Sequence, residues 1–332
     1  MVTESPIPGS PNPALTWRPI VPGDAAAYAV LLNAIEDTDH FGEFYDEAAA
    51  AELIGDPVLD LARGTLVAFD GDVMVGYSLA AHKPLAVHTH RVMLTGGVHP
   101  AHRRRGIGAR LLAAGIASAR QLHAIHHPGL ALAVDAQNNV RNAGAAAAYS
   151  AAGMTPIRWY TQMTHPLGEA IADAAVPTGF VIENHSAGTD GEFLAVRNEA
   201  FADHWGVVPM PEQQWRGTLS GWQSFRPELS FLLRDSATGT AAGMILTHSW
   251  DSDTEATGIR DAHYMLIGTR AAYRKRGVAS ALIAHAQHAA RAAGYDRTSL
   301  EVDSASPTGA NELYERVGFT VAGTQVRYTV EF

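Results

Sequence analysis

The chain contains no cysteine. This excludes disulfides, thiolate zinc ligands and a cysteine nucleophile, and it is compatible with a reducing cytosol. The chain also lacks an uncharged apolar run of about 18 residues, so we expect no membrane span. Its first residues, MVTESPIPGSPNPA, have no basic segment followed by an apolar core, and we do not read them as a secretory signal. These absences together predict a cytoplasmic protein.

Basic residues are fewer than acidic ones: 24 Lys and Arg stand against 34 Asp and Glu, for a net charge of −10. This balance argues against nucleic acid or an anionic membrane as a partner and fits a cationic molecule such as an amine. At roughly 100–200 residues per domain, 332 residues favour two domains. The Pro, Ser and Asn content of residues 1–14 predicts a disordered tail.

An internal repeat organises the chain. VHPAHRRRGIGARLLAAGIASAR, from Val98, matches TRAAYRKRGVASALIAHAQHAAR, from Thr269, and further on YSAAGM matches YERVGF in the same order. Two shared blocks in one order indicate a duplicated domain. We therefore expect one domain over residues 15–165, a linker over 166–178, and a second domain over 179–332.

Both halves have the same pattern of strands and helices. Apolar runs around Asp70-Gly71-Asp72 predict a hairpin, and LSFLLRD with AAGMILTHSW predicts its counterpart. In each half another apolar strand precedes the Arg/Gly loop and an Ala-rich helix follows it. The fold class predicted is α/β (α+β), with a mixed, mostly antiparallel sheet flanked by helices in each domain.

The loop sequences RRRGIGAR and RKRGVASA indicate an anion site. The first turn of a helix has N–H groups without internal partners, glycine lets a phosphate approach closely, and arginines add charged hydrogen bonds. No G-K-[ST] follows the glycines, which excludes a P-loop, and no G-x-G-x-x-G opens a parallel βαβ unit. Two copies in the same context favour binding of a pyrophosphate.

A strand followed by [Q/R]-x-x-G-x-[G/A], and later by LYE-x-x-GF, resembles the GNAT N-acetyltransferases. Both halves resemble this family, over about Leu15 to Phe332, and the tandem arrangement is similar to its two-domain actinobacterial members. The resemblance implies two fused GNAT domains, acetyl-CoA as acyl donor, and acetyl transfer to an amine.

The resemblance also implies roles for particular residues. The pantetheine arm would meet Ile267, Gly268 and Thr269 in the second half and Gly96, Gly97 and Val98 in the first. The pyrophosphate would lie on Arg274, Lys275, Arg276, Gly277, Val278, Ala279 and Ser280, or on Arg103, Arg104, Arg105, Gly106, Ile107, Gly108 and Ala109. Tyr314, or Tyr149 in the first half, would protonate the leaving thiolate. Asn142 fits the family's asparagine, where the second half has Ser306-Pro307 instead.

The general base is expected at His263, with Val92 at the aligned position of the first half. Valine cannot accept a proton, so the second domain is the better catalytic candidate and the first is the better candidate for a degenerate, structural copy. The alternative for His263 is a strand-face histidine bonded to a neighbour. Asp261, His248 and Asp251 are rival bases. The acceptor contacts expected are Phe201, His204 and Trp205, with core packing as the alternative for Phe201 and Trp205.

Other interpretations remain open at this stage. The donor could be a longer acyl-CoA or an acyl carrier protein, or the chain could bind coenzyme A without catalysis. Several histidines lie close together in the sequence, but their spacing is irregular, so we expect no metal site. The sequence does not specify the acceptor or the oligomeric state.

Overall fold

A computed structural model describes residues 15–306 and 309–332. The expected tail and Pro307 lie outside these residues. The chain divides into an N-terminal unit, residues 1–157 with 327–332, and a C-terminal unit, residues 158–326. These bounds differ from the sequence-based ones, because residues 158–165 group with the second unit and the last six residues group with the first.

In the N-terminal unit an antiparallel meander is followed by one parallel strand. Strands β1 to β4 pair antiparallel in chain order, and β5 joins β4 in parallel. The end of the last strand of the chain lies next to β5, where Phe332 and Leu132 exchange backbone hydrogen bonds of 2.9 and 3.3 Å. The strands are β1 (Thr16–Arg18), β2 (Thr65–Asp70), β3 (Val73–His82), β4 (Thr89–Val98) and β5 (Ala131–Asn139).

Helices cover both faces of this sheet. The first helix packs its buried residues on one face, and the helix after the Arg/Gly loop packs on the other. The helices are α1 (Ala25–Asp39), α2 (Glu47–Ile54), α3 (Leu61–Gly64), α4 (Ile107–His126) and α5 (Ala143–Ala151). The hairpin predicted at Gly71 is confirmed, with φ of 59° at that residue.

The C-terminal unit has a corresponding arrangement. Its sheet runs in the order β12-β6-β11-β10-β9-β8-β7, and β10 and β11 are parallel. The strands are β6 (Thr155–Pro166), β7 (Phe180–Asn184), β8 (Phe231–Asp235), β9 (Ala241–His248), β10 (Asp261–Thr269), β11 (Arg297–Asp303) and β12 (Thr320–Glu331). The helices are α6 (Asp190–Ala200), α7 (Glu212–Trp215), α8 (Asp251–Thr257), α9 (Val278–Ala292) and α10 (Ala310–Arg316).

A glycine on the neighbouring strand lets each loop helix approach the sheet closely. A Cβ on Gly76 would lie 2.8 Å from Leu111 Cδ1, and one on Gly243 would lie 2.6 Å from Val278 Cγ1. Real side chains do not approach so closely, so both positions require glycine. The first turns of α4 and α9 are thereby fixed against the sheet at the ends of β4 and β10.

The parallel strand pair parts near this point in both units. Pairing of β4 with β5 ends at Leu94↔Ala136, and pairing of β10 with β11 ends at His263↔Ser299. Beyond these residues β4 and β10 continue to be paired on their other side only, with β3 and β9. Each unit therefore presents an edge of unpaired backbone amides and carbonyls between two parallel strands, and such groups require a partner.

Five histidines pack together at the far end of α4. The ring of His90 contacts those of His82, His123 and His127, and His126 stacks on His82 at 4.3 Å between centroids. His90 is fully buried, and burial, reinforced by the neighbouring histidines, lowers its pKa to about 3. Burial lowers the pKa of His82 as well. The folded N-terminal unit therefore favours the uncharged form of the His90 imidazole.

We predict that acid destabilises the N-terminal unit through His90. Its folded pKa lies below its unfolded value of about 6.5, so stability is complete above that pH and falls as the pH drops toward 3. Between pH 7 and pH 5 this one group should cost on the order of 1–2 kcal/mol of unfolding free energy.

Denaturant unfolding of the full chain at the two pH values measures this loss. His90→Asn should reduce the loss, whereas the exposed neighbour His88, changed to Asn, should leave it as in the parent. An equal pH dependence in the parent and in His90→Asn would contradict this account.

Candidate functional site

The two Arg/Gly loops have nearly the same backbone. Arg103 and Arg274 are extended, at φ/ψ of −65°/162° and −63°/153°. The next residues, Arg104 and Lys275, are left-handed at φ of 63° and 62°, and Gly106 and Gly277 at 79° and 81°. A left-handed residue with a side chain costs on the order of 1 kcal/mol. Both copies retain this cost, which points to a functional constraint on the loop.

The helix starts at these loops offer uncapped N–H groups. Gly106 and Gly277 are the N-cap residues of α4 and α9, and neither helix has a side-chain cap. The caps of α2 and α5, by contrast, are Asp46 and Asn142, whose side chains accept a backbone N–H. The first-turn amides of α4 and α9 therefore remain available to an anion, and the helix dipole favours one there.

Gly108, the second glycine of the first loop, does not adopt a conformation that requires glycine. Gly108 lies inside α4, and a Cβ added to it would lie 3.5 Å from Val98 Cγ2, an ordinary contact. The second loop has Ala279 at this position. The conformational requirement for glycine thus applies to Gly106 and Gly277 only.

Arg103 fixes the first loop to the rest of its unit. Its guanidinium makes a bidentate ion pair with Asp39, at 2.8 and 2.9 Å, and its Nε donates to the Val98 carbonyl at 3.1 Å. The Asn142 side chain donates to the same Asp39 carboxylate at 3.3 Å and caps α5 at Ala145. In this arrangement Arg103 and Asn142 position the loop and α5.

Arg274 has the same place in the second loop. Its guanidinium donates to the carbonyl of Ala200 at 3.1 Å, at the end of α6, and lies 3.8 Å from Asp203. Arg276 lies over the rings of Phe180 and Tyr273, at 4.7 and 5.1 Å. Arg104, Arg105 and Lys275 are exposed at their loops.

The residues expected to bind a pantetheine arm lie on the unpaired strand edges. Gly96, Gly97 and Val98 end β4, and Ile267, Gly268 and Thr269 end β10. Thr269 Oγ1 is buried and has no hydrogen-bond partner in the described part of the chain. An unpaired strand edge beside a set of bare helix amides fits coenzyme A, which has amides in its arm and a pyrophosphate at its end.

A bulge decides which face of the C-terminal sheet carries His263. The register of β10 on β9 shifts between Tyr264 and Leu266, so Met265 is an extra residue. Tyr264 packs on the α9 face, while Leu266 and Met265 pack with the α6 side. Because side chains alternate along a strand, the extra residue turns His263 to the α6 face.

The sequence alignment pairs His263 with Val92, but the two residues do not occupy the same position in the two sheets. The structural position is shifted by one residue. In the N-terminal unit β3 and β4 pair without a shift from Gly76↔Val98 to His82↔Val92. Val92 is fully buried and shares the α4 face with Leu94. His263 pairs with His248, five residues after Gly243 on β9. The residue that pairs five residues after Gly76 on β3 is Met93, so Met93 occupies the position of His263. Neither valine nor methionine can accept a proton, so the first unit has no base at this position in either case. Asp135, which pairs with Met93 from the neighbouring strand β5, is itself ion-paired with Arg91 at 2.8 Å.

His263 is one of four candidate bases in the C-terminal unit. Its Nδ1 lies 2.8 Å from Ser299 Oγ, and partial burial lowers its pKa, which favours the neutral form. Two of its rivals are ion-paired: Asp261 with Arg297 at 2.7 Å and Asp251 with Arg226 at 2.9 Å.

His248 lies directly opposite His263 and is fully buried. Its Nδ1 is bonded to Ser224 Oγ at 2.8 Å, and burial lowers its pKa to about 3. A base with so low a pKa accepts a proton poorly at neutral pH, so His248 is a weaker candidate than His263.

Each unit has a tyrosine on the helix after its parted strands. Tyr314, on α10, is 8% exposed and packs with Phe319, and burial raises its pKa well above the ordinary value. Tyr149, on α5, is half-buried beside Tyr328, and burial raises its pKa to about 12. Both phenols are protonated at neutral pH, as an acid requires. Ser306 precedes the undescribed residues, and its N–H donates to the Asp303 carbonyl at 2.9 Å.

The expected acceptor residues follow α6 and lie near the end of β10. Phe201 packs on Gly268, where an added Cβ would meet its ring at 3.2 Å, and the ring of His204 contacts that of Phe201 at a tilted angle. Arg158 covers the ring of Trp205 at 4.8 Å. Sequence reasoning missed Trp222 and Trp250, whose rings both contact His248, and Trp250 also contacts His263. No local pattern marks these two residues, because loops bring them together.

The described residues, 15–306 and 309–332, contain no group of three or more His, Asp or Glu side chains that could hold a metal ion. None of their helices is long and apolar enough to cross a membrane.

Comparison with known proteins settles the family. The family model "Acetyltransferase (GNAT) family" matches residues 30–151 and again residues 192–319. The chain belongs to the GNAT acetyltransferases. It carries two GNAT regions and is an acyltransferase, as the resemblance of the two sequence blocks implied.

Relatives and solved structures agree with this assignment. Mycothiol acetyltransferase of Thermobispora bispora is 29% identical, over 92% of this chain and 96% of its own. Mycothiol acetyltransferase of Salinispora tropica is 32% identical, over 77% of each chain. A GCN5-related N-acetyltransferase from Sphaerobacter thermophilus covers 96% of both chains at TM-score 0.73 and 22% identity. A tandem GNAT protein of clavulanic acid biosynthesis covers 96% of this chain and 98% of its own, at TM-score 0.66 and 18% identity.

We predict that each loop binds one coenzyme A and that the left-handed glycines are required. Gly106→Ala and Gly277→Ala should each remove one binding site in calorimetry with coenzyme A, because a Cβ at these φ values strains the nest of amides.

Gly71→Ala and Gly239→Ala are matched controls. They place the same strain in a hairpin of the same unit, at φ of 59° and 72°, with nothing within 4 Å of the added Cβ. Both should keep full stoichiometry. Unchanged binding in both loop variants would contradict this assignment.

Proposed function

We propose that the chain transfers an acetyl group from acetyl-CoA to a primary amine of a small molecule, by direct attack in a ternary complex in the C-terminal unit. The observation that carries this proposal is the Met265 bulge, which turns His263 toward the α6 face beside the unpaired end of β10. A base on that face can meet an acceptor while the thioester lies along the strand edge.

His263 acts as the general base. In the tautomer whose Nδ1–H donates to Ser299 Oγ, Nε2 carries a lone pair for the acceptor. The ammonium of the acceptor transfers a proton to Nε2, because an amine attacks only in its neutral form. The lowered pKa of His263 keeps the imidazole neutral and ready near pH 7.

The loop and strand edge hold the donor. First-turn amides of α9 would bind the pyrophosphate, and backbone groups of β10 with Thr269 would bind the pantetheine arm. The bound thioester supplies the electrophilic carbonyl carbon. Tyr314, kept protonated by burial, is the acid for the departing thiolate.

The size and charge of the acceptor have indirect support. The net charge of −10 favours a cationic molecule, and the relatives covering most of the chain are named mycothiol acetyltransferases. We propose a small-molecule acceptor on these grounds. A longer acyl-CoA or an acyl carrier protein as donor is the alternative, and comparing thiol release from acetyl-CoA and longer acyl-CoAs distinguishes them.

His263→Asn should lower kcat/KM by about 100-fold, the low end of general-base effects. In the parent enzyme the rate should rise with pH through the pKa of His263, which lies below about 6.5, and then level off. The variant should lose this acidic limb. A variant with the parent pH profile would remove His263 from the reaction.

Tyr314→Phe should lower kcat by about 10- to 100-fold while the Kd of coenzyme A stays within about 2-fold, because the phenol acts on the leaving group only. Tyr264→Phe is the control, since Tyr264 is a buried tyrosine of the same core. Steady-state kinetics and calorimetry measure both quantities. Equal kcat in the two variants would contradict the role of Tyr314.

A further inference from the structure

A row of side chains crosses the C-terminal sheet at the point where its parallel strands part. His248 pairs with His263 on one side and forms an isolated bridge with Phe225 on the other, and His263 pairs in turn with Ser299. Residues opposite each other in a sheet share a face, and in antiparallel pairs their Cβ atoms lie about 5 Å apart. Leu246, two residues before His248, packs on the α6 side. The row therefore lies on the α6 face.

A serine anchors each of the two histidines. Ser299 Oγ lies 2.8 Å from His263 Nδ1, and Ser224 Oγ lies 2.8 Å from His248 Nδ1. A hydrogen bond through Nδ1 fixes the orientation of an imidazole and leaves Nε2 for a different partner. The row thus places two imidazoles side by side, both held by the same ring nitrogen.

The second nitrogen of His248 lacks a partner. The residue is fully buried, and its Nε2 makes no hydrogen bond within the described part of the chain. A buried polar atom without a partner destabilises the folded protein, so each such atom requires an explanation. The low pKa that makes His248 a poor base does not explain it. A ligand that supplies the missing hydrogen bond does.

Aromatic rings surround His248. Those of Trp222, Phe225 and Trp250 lie 6.4, 5.8 and 5.8 Å from its ring, measured between centroids. Trp250 also lies 5.7 Å from the ring of His263, and it is partly exposed to solvent. Its indole is therefore a partly exposed cover that the two imidazoles share.

The charges and tautomers around His248 favour a neutral partner. Arg226 and Asp251, which follow Phe225 and Trp250 in the chain, pair with each other at 2.9 Å. Burial lowers the pKa of His248 to about 3, so its imidazole is neutral and offers either a lone pair or an N–H at Nε2. A hydroxyl both donates and accepts, and it satisfies either tautomer. A carboxylate only accepts and an ammonium only donates, so each suits one tautomer alone.

We propose that His248 is a specificity-determining residue, whose Nε2 binds a hydroxyl of the acceptor while the amine of the same molecule lies at His263. The acceptor class is an amino alcohol, with a short carbon chain that spans the roughly 5 Å between the two paired residues. The Trp250 ring moves aside as the acceptor enters, a rotamer change of the kind that binding commonly causes. This inference rests on the proposed acetyl transfer in the C-terminal unit and names its substrate class.

The test compares acceptors that differ only by a hydroxyl. Thiol release from acetyl-CoA by the full chain is measured with ethanolamine against n-propylamine and with propanolamine against n-butylamine. In each pair a methyl group replaces the hydroxyl. We expect kcat/KM to favour one of the amino alcohols by about 10- to 100-fold, because an alkylamine leaves His248 Nε2 unpaired. Equal values within both pairs would overturn the proposal.

Two substitutions of His248 separate its nitrogens. The amide of His248→Asn lies near the place of Nδ1 and can keep the bond to Ser224, but the group at Nε2 is lost. The preference for the amino alcohol should then fall at least about 10-fold. His248→Gln places its amide near Nε2 and should restore part of the preference, while His288→Asn, at an exposed position of α9, should leave it as in the parent. Amino alcohols are less basic than alkylamines, and comparing the ratio between variants removes that difference.

Calorimetry distinguishes failure of this subsite from failure of the proposed function. Propanolamine and n-butylamine are titrated into the chain loaded with coenzyme A, and thermal unfolding shows that each variant is folded. If no amine releases thiol, tighter binding of propanolamine that His248→Asn abolishes still supports the subsite. If release depends on His263 while neither rates nor affinities change in His248→Asn, the proposed function stands and the subsite is wrong. Absence of both release and binding preference overturns both.

Discussion

Two parallel strands that part before they end are the constraint on which both candidate sites depend. Backbone groups along β4 and β10 lose their neighbours there, and unpaired amides and carbonyls within a protein require a partner. A ligand with amides of its own can satisfy them. The left-handed loop and the uncapped helix start come directly after the same strand, so one ligand can use both features.

The sequence predicted the architecture well, because the features that set it are local. Glycines at Gly106 and Gly277, apolar runs before them and Ala-rich helices after them are readable without tertiary context. The roles of Arg103 and Arg274 were not readable, since a basic triplet before a glycine suggests phosphate contacts. In the structure these two side chains reach Asp39 and the end of α6 instead.

The base position shows why alignment alone was insufficient. Counting residues back from each loop makes Val92 the equivalent of His263. However, a bulge adds one residue to β10 and none to β4. One extra residue turns the whole preceding strand over, and no sequence signal at Met265 announces it. The two copies therefore share the parted strands and the left-handed loop, and they differ in the side chains that the fourth strand presents on the face opposite the loop helix.

Backbone amide hydrogen exchange, measured with and without coenzyme A, tests the central claim most directly. The account predicts slower exchange in residues 104–109 and 275–280 and along the ends of β4 and β10 when the nucleotide is present, because those amides would become donors to it. Unchanged exchange in both loops and both strand ends at saturating coenzyme A would contradict it.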